Sequence, residues 1–253
     1  MLKIGLLGCG NIASIIAKHK IGVEIVAVFD KSPEKAHLLA QTLGTVKTHS
    51  VFNEFIKDKF DIVVEAASIL AVQDYAEEIL KHGKDLIILS VGAFADTSFR
   101  LRLEKLAHSE NRIIRIPSGA LFGLDNLKIA RISDVELLTL RSTKPPSSFQ
   151  QNATTKTLLF KGSAQDCIKL YPKNINVAMA LSLAADMPVE VELWIDPDAT
   201  RNIHEVIIAG EFGEATITVQ NVPSPENPAT SYLAALSIIT LLKDLENPFV
   251  IGT

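Results

Sequence analysis

The stretch GLLGCGNIA, Gly5–Ala13, decides the fold. A short continuous apolar run, LKIGLLG, leads into it, as in a strand buried on both faces. A helix-like stretch follows. Between the two stand Gly8 and Gly10 with one residue separating them. Strand, glycine turn and helix in that order form the context a dinucleotide-phosphate turn needs. Gly8 permits the tight turn, and Gly10 lets a pyrophosphate approach the backbone. The third position needs only a small side chain, and Ala13 supplies one. The helix that opens at Asn11 and Ile12 offers its first N–H groups to the phosphates.

The strand VEIVAVFD, Val23–Asp30, ends on an acid at about the spacing where a carboxylate meets the adenosine ribose. Asp30 favours NAD, because a carboxylate repels a 2′-phosphate. Lys31 and Ser32 beside it are compatible with NADP. The bland alternative is a plain glycine turn with Asp30 as a solvated strand end. It explains the glycines but not the ordered series around them.

Outward from the turn, strand-like and helix-like segments alternate. SPEKAHLLAQTLG reads as a helix with Ser32 as cap, Pro33 in the first turn and Gly44 as terminator. FDIVVEAAS is a strand, AVQDYAEEILKHG a helix, DLIILSVGA a strand, and DTSFRLRLEKLAHSEN a helix capped by Asp96. RIIRIP closes the series. This alternation predicts a doubly wound parallel α/β sheet of the Rossmann type over residues 1–118. Its cofactor lies across the carboxyl ends of the strands. There EAAS, with Ala67 and Ser68, and SVGAFAD, with Ala93, should line the path.

The pattern changes after Pro117. DVELLTLRS and PVEVELWID alternate apolar and polar residues, which suits an antiparallel sheet with one face covered. NIHEVIIAGEFGEATITVQNVP reads as a hairpin around Gly210–Gly213. NVAMALSLAA is an apolar helix, and Asn174 or Asn176 could cap it. The last helix, NPATSYLAALSIITLLKDLE, is expected to start after Pro228 with Thr230 or Ser231 near its first turn. The expectation is an α+β domain with a mostly antiparallel sheet over 119–225. The 226–253 segment would complete the first domain.

Hydrophobic residues make up 47% of the chain and net charge is −4, which favours a packed globular core and gives no reason to expect nucleic acid or an anionic membrane as partner. The two cysteines, Cys9 and Cys167, read as free thiols. The apolar start is far short of a membrane span, and no basic-apolar leader pattern precedes a small-residue site. The expected setting is therefore the cytoplasm. No HExxH, Cys/His cluster or GxSxG occurs, so no metal site and no serine nucleophile is expected.

His19, His37, His49, His82 and His108 read as surface positions. His204 shares a strand face with Val206 and Ile208 and should point to a covered side. It is either a proton carrier or a core-edge histidine bonded to backbone. Lys144, before two prolines, is a candidate for an anionic substrate or simply a solvated lysine.

In order along the chain, GCGNIA, VVEAAS, SVGAFAD, IPSGALFGLD, KPP, PKNINVA, NIHEV, GEFG and NVPSPENPATS resemble the small archaeal and bacterial L-aspartate dehydrogenases. The likeness runs through nearly the whole chain. Leu121 replaces the usual Ile, and an extra residue separates Arg141 from Lys144. The resemblance implies a homodimer that oxidises L-aspartate with NAD(P) to iminoaspartate. That imine becomes oxaloacetate and ammonia or feeds quinolinate and NAD synthesis. It implies His204 as the active-site histidine, with Ala120 and Asn174 at the cofactor. Lys144, Asn176 and His204 then become the candidates for holding substrate. The rivals are a dihydrodipicolinate-reductase-like or homoserine-dehydrogenase-like enzyme, or a non-catalytic NAD(H) sensor.

Overall fold

The computed structural model describes residues 1–19, 22–149, 153–171, 175–225 and 227–252. The chain divides into two compact units. One holds Met1–Pro117 with Ala235–Val250, and the other holds Ser118–Ala234.

The first unit runs β1 (Lys3–Leu7), α1 (Asn11–Lys18), β2 (Glu24–Phe29), α2 (Pro33–Leu43), β3 (Lys47–His49), α3 (Phe52–Phe55), β4 (Ile62–Glu65), α4 (Ile69–Lys81), β5 (Asp85–Ile88), α5 (Thr97–Ser109) and β6 (Ile114–Arg115). Its six strands are all parallel in the order β3-β2-β1-β4-β5-β6. The order reverses between β1 and β4, which opens a crevice at the carboxyl ends of these two strands. Ile4, Leu6, Val63, Val64, Leu86 and Ile87 are buried, as the continuous apolar runs require. Three helices, α2, α4 and α5, start where the sequence provides a cap. Ser32 Oγ accepts from the Lys35 N–H, Ser68 Oγ from Ala71 and Asp96 Oδ1 from Phe99. His49 departs from the surface reading: it is half-buried, with Nε2 2.7 Å from Asp58.

The second unit contains β7 (Val135–Lys144), β8 (Thr157–Ser163), α6 (Ala164–Leu170), α7 (Ile175–Ala185), β9 (Glu190–Ile195), β10 (Ile203–Gly210), β11 (Gly213–Gln220), β12 (Pro223–Ser224) and β13 (Asn227–Ser231); α8 (Tyr232–Asp244) follows. Five strands form one sheet, β11-β10-β7-β9-β8. Three of its four pairings are antiparallel, including the expected β10–β11 hairpin. The two strands with the clearest alternation, β7 and β9, run parallel instead. Alternation reports a covered face and is silent on direction. The long connection through β8, α6 and α7 supplies the crossover that a parallel pair needs. The covered face carries Leu138, Leu140, Val191, Val206 and Ile208 against Cys167, Ala178 and Leu181 of the two helices. On the other face Arg141 bridges Glu192 and Glu205 at 2.8 and 2.5 Å.

The final helix begins later than the sequence suggests. Asn227–Ser231 is a strand paired with Pro223–Ser224, and α8 opens at Tyr232. Ser231 spends its hydroxyl on Asn221 Oδ1 rather than on a helix N–H. Among the described residues no helix is long and apolar enough to cross a membrane.

Candidate active site

The turn after β1 is built by contact, not by composition alone. Gly8 adopts φ +98°. A Cβ there would lie 2.7 Å from Ala67 Cβ and 2.8 Å from the Ala66 carbonyl, so the loops after β1 and β4 can touch only through glycine. A Cβ on Gly10 would meet nothing within 4 Å. Open space therefore lies over the start of α1, where Gly10 occupies the N-cap position without a side-chain bond to the first turn. Asn11 and Ile12 form that first turn and Ala13 is buried behind it. This is a cradle that a side chain would fill, at the positive end of a helix, and it fits a pyrophosphate.

Asp30 stands just beyond β2. Its Oδ2 accepts from the Cys9 N–H at 2.9 Å and its Oδ1 from the Ser32 N–H at 2.9 Å. The acid is thereby tied to the glycine turn. Ser68 caps α4, and Ala93 is buried in a 3-10 turn, Val91–Ala95.

One group here escaped the sequence reading. Glu65, at the end of β4, is 1% exposed. Its carboxylate accepts from the N–H groups of Ala67, Leu89 and Ser90 at 2.8, 3.1 and 2.9 Å, and from Ser90 Oγ at 2.7 Å. Burial raises its carboxyl above the usual range, against these bonds. Glu65 staples the ends of β4 and β5 beneath the crevice. The signal was an acid closing an apolar strand, IVVE.

In the second unit, His204 on β10 sits opposite Ser142 on β7, and Nδ1 lies 2.9 Å from Ser142 Oγ. The imidazole is buried, 5% exposed, on the face shared with Val206 and Ile208. Its partner is a side chain, so the backbone-bonded alternative does not describe it. Lys144 follows Ser142 by two residues and so lies on the same face of β7. Burial pulls its ammonium down to about 8. Burial and, less strongly, the charge of Lys144 push His204 down to about 3. The ring is therefore neutral near pH 7, with one nitrogen held by a hydroxyl. The Cys167 thiol, pushed up to about 11 by burial, is also within reach of the Lys144 charge.

A cavity of about 130 Å³ lies at the end of the sheet where β7 finishes and β10 starts. It gathers residues from the KPPSS, TRN, NVP and TS segments. Its organising side chain is Asn221, 3% exposed. The Asn221 amide donates to the Ala120 carbonyl at 3.2 Å, and its Oδ1 accepts from Ser231. Its backbone N–H donates to the Asn202 carbonyl at 2.8 Å. His204, Lys144 and Asn176 are not among the lining residues. Asn176 is exposed in the first turn of α7, and Asn174 lies outside the described residues.

Over the whole of both chains, 54% of residues match the L-aspartate dehydrogenase of Methanospirillum hungatei. The chain belongs to the aspartate dehydrogenase family. The family profile described as aspartate dehydrogenase, C-terminal, matches residues 125–245, and one described as homoserine dehydrogenase, NAD binding domain, matches 5–117. The L-aspartate dehydrogenase of Methanocaldococcus jannaschii is 39% identical, again over all of both chains. The solved aspartate dehydrogenase of Thermotoga maritima is 29% identical with a TM-score of 0.85 and full coverage of each chain. As a member of this family the chain is an NAD(P)-dependent oxidoreductase.

Proposed function

We propose that the chain oxidises L-aspartate to iminoaspartate and carries out the reverse reductive amination of oxaloacetate with ammonia. The observation that carries the reading is the neutral His204, fixed by Ser142, in the unit that matches the aspartate dehydrogenase profile. Gly8, Gly10, Asn11 and Ile12 would hold the pyrophosphate, Asp30 the adenosine ribose, and Ala67, Ser68, Ala93, Ala120 and Asn174 the rest of the cofactor. When bound, that cofactor supplies the hydride acceptor for the substrate α-carbon.

The chain's own work is proton handling and binding. The α-ammonium of aspartate must lose a proton before its C–H bond breaks, and a neutral imidazole accepts one. His204 does this, or activates the water that converts the imine to oxaloacetate and ammonia. Lys144, cationic at neutral pH on the His204 face, and Asn176, exposed in the first turn of α7, would serve the substrate carboxylates. Asp30 favours NAD over NADP by repelling a 2′-phosphate. A homodimer in the cytoplasm, with its imine product feeding quinolinate, completes the reading.

The test is NADH oxidation with oxaloacetate plus ammonia, set against pyruvate and 2-oxoglutarate, with NADPH in a parallel series. Selective turnover of oxaloacetate is expected. The homoserine dehydrogenase profile over residues 5–117 motivates one further arm: oxidation of homoserine with no aspartate activity would reverse the reading. Binding of NADH with no turnover of any substrate would point to a sensor. Sedimentation velocity should show a dimer, and a monomer at micromolar concentration would remove that part.

A further inference from the structure

We propose that Arg201 is the cation that grips one carboxylate of the substrate, inside the cavity at the end of the second unit's sheet. This rests on the aspartate reading for the identity of the substrate, though not for the existence of an anion site.

The cavity's lining is chemically one-sided. Arg201 is its one charged side chain among the described residues. Around it stand hydroxyls, including Ser147 and Ser148, and the amides of Asn202 and Asn221, with three apolar residues completing the wall. Among the described residues no carboxylate lines it. A lone guanidinium among neutral hydrogen-bonding groups matches an anion with several acceptor oxygens. The planar fork of arginine matches a carboxylate in particular.

Arg201 is also set apart from the other arginines. The chain has seven. Arg100, Arg102, Arg115 and Arg141 pair with acids, and Arg112 and Arg131 donate to carbonyls. Arg201 alone has no hydrogen-bond or ion-pair partner among the described residues. Its backbone is nevertheless held. Ile203, two residues on, is registered between Thr143 and Gln220, and the Asn202 carbonyl takes the Asn221 N–H. The opposite wall is equally fixed, because Asn221 spends both ends of its amide on Ala120 and Ser231. An unpaired guanidinium on a held backbone, in the lining of a cavity whose Asn221 wall is fixed, makes a site for an anion. Lys144, the cation that the KPP motif advertises, lies on the His204 face and outside this lining.

The experiment is isothermal titration of succinate, an unreactive dicarboxylate, into the NADH-loaded enzyme, repeated with Arg201→Gln and Arg201→Lys. Arg201 is exposed, so both variants should keep the fold. Arg201→Gln should weaken succinate about 10–100-fold, the range for losing a charged hydrogen-bond partner, and Arg201→Lys should recover part of it. KM for oxaloacetate should rise in parallel while NADH affinity stays unchanged. Succinate affinity and KM within twofold of the parent in Arg201→Gln would overturn the assignment, as would a parent that binds no succinate. An enzyme that binds succinate through Arg201 yet fails on oxaloacetate and ammonia would keep the anion site and discard the aspartate reading.

Discussion

Each of the two units is built internally by bonds of a different range, and the difference separates what is easy to read from what is not. In the first unit the decisive features are local. A strand leads into Gly8 and Gly10, serine and aspartate cap the helices they precede, and Asp30 reaches a turn about 20 residues away. In the second, the groups that define the site meet across long separations. Ser142 finds His204 62 residues later, and Ala120 meets Asn221 101 residues later. On the proposed reading the cofactor side is thus written in contiguous motifs, and the substrate side is assembled by strand register.

The largest expected effect tests the contiguous side. Gly8→Val forces a side chain into the Ala66–Ala67 backbone at positive φ. It should weaken NADH binding roughly 100-fold or more, since strained backbone alone costs about 1–3 kcal/mol before the clash. Gly10→Ala sharpens the point, because its Cβ meets only open space in the protein. Its melting temperature should stay within about 2 °C of the parent. Its NADH affinity should fall, as read by fluorescence titration. A Gly10→Ala protein that binds NADH normally would show that the cradle is not the phosphate site.

Glu65 is the first unit's crosslink that no motif announces, tying the end of β4 to residues 24 and 25 positions on. Glu65→Gln leaves one acceptor oxygen where three N–H groups and a hydroxyl converge. The loss should be about 2–4 kcal/mol of unfolding free energy, with weaker NADH binding. Unchanged denaturant stability would mean that the strand ends hold themselves in place.

His204→Ala addresses the assembled side. If the ring accepts the substrate proton, turnover falls roughly 100-fold or more while NADH affinity is kept. A folded variant with parental turnover would remove His204 from the chemistry.

What could be read from the sequence follows the same division. Continuous apolar strands, caps and the glycine turn report on neighbours a few residues away, so the doubly wound half was legible down to Ser32, Gly44 and Asp96. In the other half the alternation of Val189, Val191, Leu193 and Ile195 named the buried face correctly. It could not name the partner strand, and β7 and β9 proved parallel. Thr230 and Ser231 have the composition of a helix start, yet pairing with Pro223–Ser224 claims that segment for a strand. The inward direction of His204 was readable from period-2 spacing. Its hydroxyl partner was not, because Ser142 is one polar residue in the strand LLTLRST until register places it opposite. Asn221 and Arg201 carry no periodic signal at all. Their roles arise only once four chain segments converge.

The smallest effect concerns the coupling between His204 and Lys144, and its sign can be worked out. Above pH 6.5 the imidazole is neutral folded or unfolded and contributes nothing to pH-dependent stability. Between 6.5 and about 3 the unfolded chain binds a proton that the folded one refuses, so stability falls as pH falls, by up to about 1.4 kcal/mol per pH unit. His204→Gln removes that slope and should lose less stability than the parent between pH 6 and 4 in parallel denaturant series. Lys144→Met keeps the ring but deletes the cation that helps push its pKa down. The His204 resonance should then titrate at higher pH than in the parent. The descent in stability should begin at the same pH, because the unfolded chain sets that end, and should stop sooner. A His204 titration that ignores Lys144→Met would leave burial alone responsible for the neutral ring. The two basic side chains would then be neighbours on one strand face rather than a coupled pair.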